Sequence, residues 1–208
     1  MRFIEHRGQR IPEYAPFREG IGSHIGGSWH TDIHDLGQRH VLRTIRHRWK
    51  ALKGAVGNDW KEDFLEGYNA MRQFIGPQMV QTHLVEGINH DGEPDLLIVH
   101  ERINGRALKD ISYEELRSKP HIVEQLDDLT RNIMHMHTIT GRMPDIHGTQ
   151  LIHQYDMKQT DTIIVDELEK VWLRDIDTIG PLWSPHWALG RLHMRKHMDS
   201  VRHFRQKS

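Results

Sequence analysis

Two acidic side chains follow an apolar stretch near the end of the sequence. Val171-Trp172-Leu173 is predicted to form a strand, and Asp175 and Asp177 come shortly after it. Carboxylates at the end of a buried strand are costly to leave without a partner, and their oxygens are ligands that Mg²⁺ accepts. The pattern therefore indicates a cation site, with exposed acids in a turn as the alternative.

Glycines dominate an earlier segment that could hold phosphates. Gly20, Gly22, Gly26 and Gly27 lie close together, between stretches that are predicted to be extended. Because glycine has no Cβ, backbone N–H groups in such a segment can approach a phosphate closely. An ordinary hairpin would show the same composition, so both interpretations stay open at this point.

The elements that carry these residues follow an α+β order. Residues 17–45 are predicted as strand, turn and strand, and apolar residues at helical spacing predict a helix over 60–75 that Gly76-Pro77 ends. The remaining predicted elements are strands at Met79–Val85 and Leu96–Glu101, a helix start at Ser112 with Glu115 three residues on, a helix over His121–His137, a hairpin over Thr162–Leu173 and a last helix over 186–204.

Three stretches, taken in order, resemble motifs of the protein-kinase-like superfamily. Leu96–Leu108 contains an apolar strand and then Glu-x-Ile-x-Gly-x-x-Leu, Met143–Gln150 is similar to the catalytic loop, and Val171–Asp177 is similar to the metal-binding motif. The resemblance covers about residues 17–178 and is to the small bacterial branches: Rio-type kinases, aminoglycoside phosphotransferases and lipopolysaccharide core-sugar kinases.

The resemblance implies one α+β domain over residues 1–208 with a two-lobed, minimal protein-kinase-like fold. An N-terminal lobe, about residues 1–103, would contain an antiparallel sheet and one helix. A C-terminal lobe, about residues 104–208, would be mainly helical.

The resemblance also implies a catalytic set for phosphoryl transfer, which needs held phosphates, a cation and a positioned acceptor. Arg43 stands where kinases carry a lysine that pairs with phosphates, and its wide, flat head makes the exchange non-conservative. Glu66 would pair with this cation, with Glu62 as a competing candidate; a surface arginine is the alternative for Arg43. Asp145 would orient or deprotonate the acceptor hydroxyl.

The implied metal ligands are Asp175, assisted by Asp177, and a third group that the sequence leaves open. The family has asparagine five residues after the catalytic aspartate, and here Gln150 stands there, with its carbonyl oxygen one methylene further out. If residues 149–161 are an insertion, Thr162 or the neighbouring Asp161 takes that place instead. Asp145 and Asp175 lie 30 residues apart, a longer gap than is usual in this superfamily.

ATP is the nucleotide that the resemblance implies. Backbone groups around Glu101 and Ile103, at the end of an apolar strand, could hydrogen-bond adenine. The glycine-rich segment and Arg43 would hold the phosphates. A strand followed by a turn is the alternative interpretation of the stretch that contains Glu101.

Composition excludes some classes of protein. The net charge is −1, with 28 Lys and Arg against 29 Asp and Glu, so no specific nucleic acid is predicted. The chain has no cysteine, which excludes disulfides, zinc–thiolate sites and a cysteine nucleophile. No apolar run is long enough for a membrane span or a signal core, so a cytoplasmic location is the default expectation. The basic tail, Arg191–Lys207, could contact phosphates or an anionic membrane surface, with a solvated helix as the alternative.

The sequence thus predicts an ATP- and Mg²⁺-dependent phosphotransferase that acts on a hydroxyl of a small molecule, sugar or lipid-linked acceptor. A catalytically inactive pseudokinase, serving as a nucleotide- or protein-binding regulatory module, is the alternative that Arg43 and the missing asparagine favour. An unrelated α+β protein that binds metal through some of its 18 histidines is the third. The sequence leaves open whether the chain is an enzyme.

Overall fold

A computed structural model describes residues 2–6, 9–13, 24–27, 31–36, 40–45, 60–88, 94–144, 161–176 and 178–179. These residues form two compact units. The first unit contains the described residues up to Glu62 and those from Val80 to Ile103, and the second contains those from Asp63 to Met79 and from Asn104 onward. No helix in the described part of the chain is long and apolar enough to cross a membrane.

Antiparallel strands make up the described part of the first unit. A hairpin joins β1 (Arg2–His6) to β2 (Gln9–Glu13). Five further strands form one sheet in the order β3-β4-β5-β7-β6, and all its neighbours are antiparallel. Their bounds are β3 His24–Gly27, β4 Thr31–Asp35, β5 His40–Ile45, β6 Thr82–Ile88 and β7 Pro94–Glu101.

Strand β7 lies between β5 and β6 and is buried on both faces. Consecutive residues from Asp95 to His100 are all buried, which agrees with an apolar run rather than an alternating pattern. The strand contributes to a core cluster on one face of the sheet, made of Leu42, Val85, Leu97 and Val99, with Leu36 packed against it. Burial on both faces fixes the position at which β7 ends, and therefore the position of Glu101.

The described part of the second unit contains helices and two small antiparallel sheets. Helix α1 spans Trp60–Ile75 and belongs to this unit from Asp63 on. Helix α2 spans Tyr113–Ser118 and α3 spans Pro120–Thr140, with 3₁₀ turns at Gly76–Gln78 and Leu108–Asp110. One sheet has the order β11-β10-β8, with β8 at Gly105–Ala107, β10 at Ile163–Asp166 and β11 at Val171–Leu173. The other pairs β9 (Met143–Pro144) with β12 (Thr178–Ile179).

The ends of α2 and α3 follow from the residues found there. The Ser112 hydroxyl oxygen accepts a hydrogen bond from the Glu115 N–H at 3.0 Å, which is the N-cap that the sequence predicts. Pro120 begins α3, where its missing N–H costs nothing. Gly141 follows α3 with a φ of 70°, and its N–H donates to the His137 carbonyl at 2.9 Å. This left-handed ending favours glycine and turns the chain towards β9.

Two polar side chains hold the β10–β11 hairpin. The Asp166 carboxylate accepts hydrogen bonds from two backbone N–H groups of the turn, both at 2.9 Å, and from Trp172 Nε1 at 2.7 Å. The Gln125 amide, on α3, donates to the Glu169 carbonyl at 2.9 Å and accepts from the Val171 N–H at 3.0 Å. The hairpin is therefore fixed both within its own turn and to the helix beneath it.

The antiparallel sheet and the helices confirm the predicted α+β class. The helix predicted over 60–75 has those bounds, and the predicted hairpin is β10–β11. The strand, turn and strand predicted in residues 17–45 are present as β4 and β5, but the prediction missed a third strand, β3, to which Gly26 and Gly27 belong. Strand pairing uses backbone groups alone, so glycine can pair with β4 without a side chain. The helix predicted over 186–204 lies outside the described residues.

Candidate functional site

Gly26 and Arg43 lie in one row across the sheet of the first unit. The strand register pairs Gly26 with Ile33, Ile33 with Arg43, and Arg43 with Ile98. Directly opposed residues of antiparallel strands share a face of the sheet. Neighbouring strands are about 4.8 Å apart, so two strand spacings, roughly 10 Å, separate Gly26 from Arg43. The row thus brings a candidate phosphate-binding glycine and the candidate cation to one face.

The space beside Gly26 is open. Among the described residues, no heavy atom lies within 4 Å of a Cβ built at Gly26. The pairing with β4 shifts its register between His24 and Gly26, which is a β-bulge. Crowding within the sheet therefore does not explain this glycine, whereas close approach of a ligand would. Gly27 pairs with Asp32, and Gly20 and Gly22 lie outside the described residues.

Arg43 is a buried residue, with 7 % of its surface exposed. The alternative of a surface arginine is therefore wrong. Burying a guanidinium is costly unless other groups compensate its charge. Its planar set of five donors also suits the oxygens of a phosphate. Burial in the row that contains Gly26 is consistent with the role that the resemblance implies for Arg43.

The end of β7 is the place where the sequence predicts adenine. Glu101 and Ile103 are both half-buried. The Glu101 N–H donates to the Gln81 carbonyl at 2.9 Å, so this donor is used within the first unit. The predicted adenine contact then falls to the other backbone groups of Glu101 and Ile103.

The glycine and the leucine of the same motif have a structural explanation. A Cβ at Gly105 would lie 2.4 Å from the Val165 carbonyl oxygen, across the pairing of β8 with β10. Leu108 is completely buried in the second unit. Packing alone therefore accounts for Gly-x-x-Leu, and this part of the motif does not by itself indicate a nucleotide.

Glu66 is bound to an arginine that sequence reasoning did not single out. Arg142 Nη2 donates to Glu66 Oε2 at 2.8 Å, while Arg142 Nη1 donates to Asp63 Oδ1 at 2.7 Å and to the Asp63 carbonyl at 3.2 Å. The Arg142 and Asp63 side chains are 10 % and 8 % exposed, so this is a buried ion pair; Glu66 is more open, at 55 %. The predicted pair of Glu66 with Arg43 stays a prediction.

The sequence contains only part of the information needed to identify Arg142. Asp63 and Glu66 lie three residues apart on α1 and so share one side of the helix, which predicts a common basic partner. That partner lies 79 residues from Asp63, and no local pattern marks it.

Strands β9 and β12 bring together the two chain segments that carry the predicted base and metal ligands. Pro144 pairs with Thr178, and Met143 pairs with Ile179. Asp145 follows Pro144 in the sequence and Asp177 precedes Thr178, although both aspartates lie outside the described residues. Segments 30 or more residues apart in the sequence are therefore neighbours in the second unit.

The other candidate metal ligands have varied surroundings. Asp175 is half-buried between Arg174 and the fully buried Ile176. Asp161 is exposed, and its carboxylate pairs with Lys109 Nζ at 3.4 Å. Gln150 lies outside the described residues, and those that are described contain no group of three or more His, Asp or Glu side chains placed to hold a metal ion.

The second competing ligand, Thr162, is buried and has a part in the fold. Its carbonyl accepts a hydrogen bond from the Arg174 N–H at 2.8 Å, which extends the β10–β11 pairing. This bond also fixes the chain one residue before Asp175.

A charged network outside the predicted site shows clear pKa shifts. Lys119 pairs with Glu169 at 2.9 Å and with Glu115 at 3.2 Å, and these carboxylates raise the pKa of Lys119. Lys119 in turn lowers the pKa of Glu169, while hydrogen bonds from Arg106 and then Lys119 lower the pKa of Glu115. The network joins β8, α2 and the residue before α3 to the β10–β11 turn, so it serves the fold.

Comparisons with known proteins add little to this geometry. Neither models of known protein families nor curated proteins give a match. Among solved structures, the chain is similar to a GDP complex of a mutant aminoglycoside 2'-phosphotransferase-IIIa, at 14 % identity and a TM-score of 0.34. The match covers 56 % of this chain and 36 % of that one, so it spans about a third of the phosphotransferase. A TM-score this low does not establish a common fold, and the function has to be argued from the residues.

Proposed function

We propose that this protein is a kinase-like phosphotransferase, which uses ATP and Mg²⁺ to phosphorylate a hydroxyl of a small molecule, sugar or lipid-linked acceptor. The observation that supports this most is the pairing of Pro144 with Thr178. In sequence these residues adjoin Asp145 and Asp177, the candidate base and a candidate metal ligand. Phosphoryl transfer requires a base and a metal site close together, and this pairing joins the two segments that would supply them.

In the proposed reaction the acceptor oxygen forms a bond to the γ-phosphorus as the bond to the bridging oxygen of ADP breaks. Asp145 orients the acceptor hydroxyl and takes its proton. Gly26 and Arg43 bind the phosphates, because the sheet row offers an approachable backbone and a cation on one face. The carbonyl of Glu101 and the backbone of Ile103 contact adenine, and Glu66 is the acid assigned to Arg43.

Oxygen ligands of the second unit fit Mg²⁺. Asp175 and Asp177 would hold it, with Gln150 or Asp161 as the third protein ligand. Carboxylate and amide oxygens are the donors that this hard cation prefers, and it commonly keeps only one or two carboxylates beside substrate phosphates. When bound, Mg²⁺ would neutralise the charge that develops on the transferred group.

Thermal unfolding with ATP or ADP, with and without Mg²⁺, tests the proposal. A ligand at 100 times its Kd adds about 2.7 kcal/mol, which should raise the Tm by about 5–10 °C in a domain of this size. Asp175→Asn should remove the Mg²⁺-dependent part of that shift. Asp128→Asn is the matched control, because Asp128 is exposed on α3 and its ion pair in the described part of the chain is with the exposed Arg131.

Turnover separates binding from chemistry. Asp145→Asn should keep the Mg²⁺–nucleotide shift but lose ATP turnover, since the base is needed only for transfer. Arg43→Ala should lower the rise in Tm that ATP causes. Arg131→Ala, which removes an exposed arginine, should lower it less. No shift with any nucleotide, or turnover that survives Asp145→Asn and Asp175→Asn together, would contradict the proposal.

A pseudokinase is the second candidate, and two observations favour it. Arg43 occupies the position of the phosphate-pairing lysine, and Asp161 is engaged by Lys109. Such a protein would bind nucleotide without Mg²⁺, or bind none, and would act through a protein partner. A nucleotide shift that is equal with and without Mg²⁺, and that Asp175→Asn leaves unchanged, is the result that would select this candidate.

A further inference from the structure

We propose that Arg142 is a positioning residue of the phosphotransferase site, holding the β9–β12 pair against one side of α1. The inference rests on the proposed function, because it explains the contact between Arg142 and α1 by the placement of catalytic segments. Its physical content is that the segments beside Asp145 and Asp177 are held in place by α1 rather than by their own pairing.

The first contact with α1 is made from β9. Arg142 immediately precedes β9, and its guanidinium uses two nitrogens on two acids, Asp63 and Glu66, at 2.7 and 2.8 Å. A third hydrogen bond, to the Asp63 carbonyl at 3.2 Å, also reaches the helix backbone. A planar guanidinium held at two nitrogens has a fixed orientation, so the contact fixes direction as well as distance.

The second contact is made from β12. A Cβ built at Gly67 would lie 2.1 Å from Thr178 Oγ1 and 3.1 Å from two other Thr178 side-chain carbons, so only glycine allows this approach. Gly67 lies four residues after Asp63, on the same side of α1. One side of the helix therefore contacts both strands, by charge at β9 and by close packing at β12.

The pairing of β9 with β12 is too short to hold itself. Each strand has two residues, and isolated two-stranded ribbons are marginal in water even when they are longer. β9 also lies close to α3, and the contacts with α1 add support at both strands. Catalytic groups need placement to within a fraction of an ångström, and a misplacement of about 1 Å can lower a rate by roughly 10²-fold.

Arg142→Gln tests the inference, with Arg131→Gln as the matched control. Arg131 is also an arginine bound to two acids, but it is exposed on α3. We expect Arg142→Gln to lower kcat for Mg²⁺-dependent ATP turnover by about 10²-fold and to leave KM for ATP within about threefold. The loss should fall on kcat because the proposed phosphate and adenine contacts lie in the first unit. Arg131→Gln should behave like the unmodified protein.

Hydrogen exchange supplies a readout that needs no turnover. In Arg142→Gln, amide exchange should rise in peptides that contain Met143 and Thr178 and stay unchanged in the β10–β11 hairpin. Unchanged exchange, or unchanged kcat with raised exchange, overturns the inference. If Arg142→Gln does not fold, Asp63→Asn/Arg142→Gln, which removes both charges, takes its place with the same expectations.

The two possible failures are distinguishable. If the unmodified protein shows no Mg²⁺-dependent turnover, the proposed function fails and the catalytic part of the inference is overturned with it. The exchange measurement still decides whether Arg142 holds the two segments. Arg142→Lys adds a further check, because a point charge without the planar fork should recover exchange protection better than it recovers kcat.

Discussion

The two strand pairs that enclose the Asp175 segment are built in different ways. The β10–β11 hairpin joins residues close in sequence, and its own Asp166 fixes the turn. The β9–β12 pair joins residues 34 positions apart, and its described contacts beyond the pairing are with α3, which lies close to β9, and with α1. The hairpin's turn is therefore fixed by its own Asp166 as well as by Gln125 of α3, whereas the β9–β12 pair has no such local turn and depends on contacts with helices.

The two strand pairs differ both in how they are held and in the candidate residues that lie beside them. The hairpin is followed by Asp175 and preceded by Asp161, both candidate metal ligands, and its turn is fixed by its own residues. The β9–β12 pair lies beside the segments of the candidate base and of Asp177, and it is held to α1 by a buried ion pair and by the close approach of Gly67 to Thr178. Such a pair should be sensitive to changes in α1, and the following variants measure that sensitivity.

Arg142→Gln should have the largest effect on stability. Asp63 would remain buried, at 8 % exposure, without the charge that compensates it. Removing one partner of a buried ion pair typically costs about 3–5 kcal/mol. Urea unfolding at neutral pH should show this loss. Asp63→Asn/Arg142→Gln should recover much of it because neither member of the buried ion pair keeps its charge; a double variant as unstable as the single one would contradict this account.

Asp166→Ala should destabilise the β10–β11 hairpin, because three donors lose their acceptor. The free energy of unfolding should fall by about 1–3 kcal/mol, less than for Arg142→Gln. Partial burial raises the pKa of Asp166, but hydrogen bonds from Trp172 and two turn N–H groups outweigh it and hold the pKa below its ordinary value of 3.8. The carboxylate therefore stabilises the protein above pH 3.8, and this contribution is lost as the pH falls through the folded-state pKa.

Urea unfolding of Asp166→Ala at two pH values checks this sign. The difference in the free energy of unfolding between the two proteins should be full at pH about 6 and should shrink below pH about 3.5. Asp128→Ala, which removes an exposed acid of α3, serves as the control and should show little difference at either pH. A difference that grows as the pH falls would be inconsistent with the hydrogen bonds of Asp166.

Whether a contact could be predicted from the sequence depends on whether it is local or joins distant residues. The bounds of α1 and the β10–β11 hairpin could be predicted because the spacing of apolar residues and the turn lie within one short segment. The ion pair of Arg142 with Asp63 spans 79 residues, and no periodicity encodes it. Sequence reasoning therefore found Glu66 as an acid of interest but could not find the arginine that it contacts.

Three glycines show a second limit of prediction from the sequence. A sequence shows that a residue is glycine but not what surrounds it. Gly105 is explained by the carbonyl of Val165 and Gly67 by the side chain of Thr178, whereas a Cβ at Gly26 would meet none of the described residues within 4 Å. Of the three, sequence reasoning placed Gly26 and Gly105 in functional motifs, and the fold already accounts for Gly105.

Gly67→Ala should test the contact from β12, with an expected loss of up to about 2 kcal/mol. The added methyl group would overlap Thr178 Oγ1, at a typical cost of about 1–3 kcal/mol, and the gain in helix propensity from glycine to alanine offsets about 1 kcal/mol. Thermal unfolding measures the change. Gly76→Ala is the control, because among the described residues a Cβ there meets nothing within 4 Å.

A rescue variant sharpens this test. Thr178→Ala removes the hydroxyl and methyl groups that the new Cβ would meet, so Gly67→Ala/Thr178→Ala should be more stable than the sum of its single changes predicts. Strict additivity would mean that α1 and β12 are not in contact at this point. Arg142 would then be the remaining described link from α1 to the β9–β12 pair.

The smallest predicted effect lies in the β10–β11 turn, at Glu169. This residue has a φ of 62°, in the left-handed region that costs a non-glycine residue about 1–2 kcal/mol. Glu169→Gly and Glu169→Ala both remove the ion pairs with Lys119 and His121, so their difference isolates the backbone. We expect the glycine variant to be more stable than the alanine variant by about 1 kcal/mol, measured by urea unfolding.

The comparison of Glu169→Gly with the unmodified protein has a further use. The ion pairs of Glu169 are solvent-exposed and such pairs contribute little, so the glycine variant should be about as stable as the unmodified protein. Its turn would still be held by the Asp166 carboxylate and by Gln125, which binds the carbonyl of residue 169 rather than its side chain. An alanine variant as stable as the glycine variant would mean that the turn relaxes to a negative φ. The turn would then stabilise the hairpin less, and the contacts with α3 would stabilise it more, than its hydrogen bonds indicate.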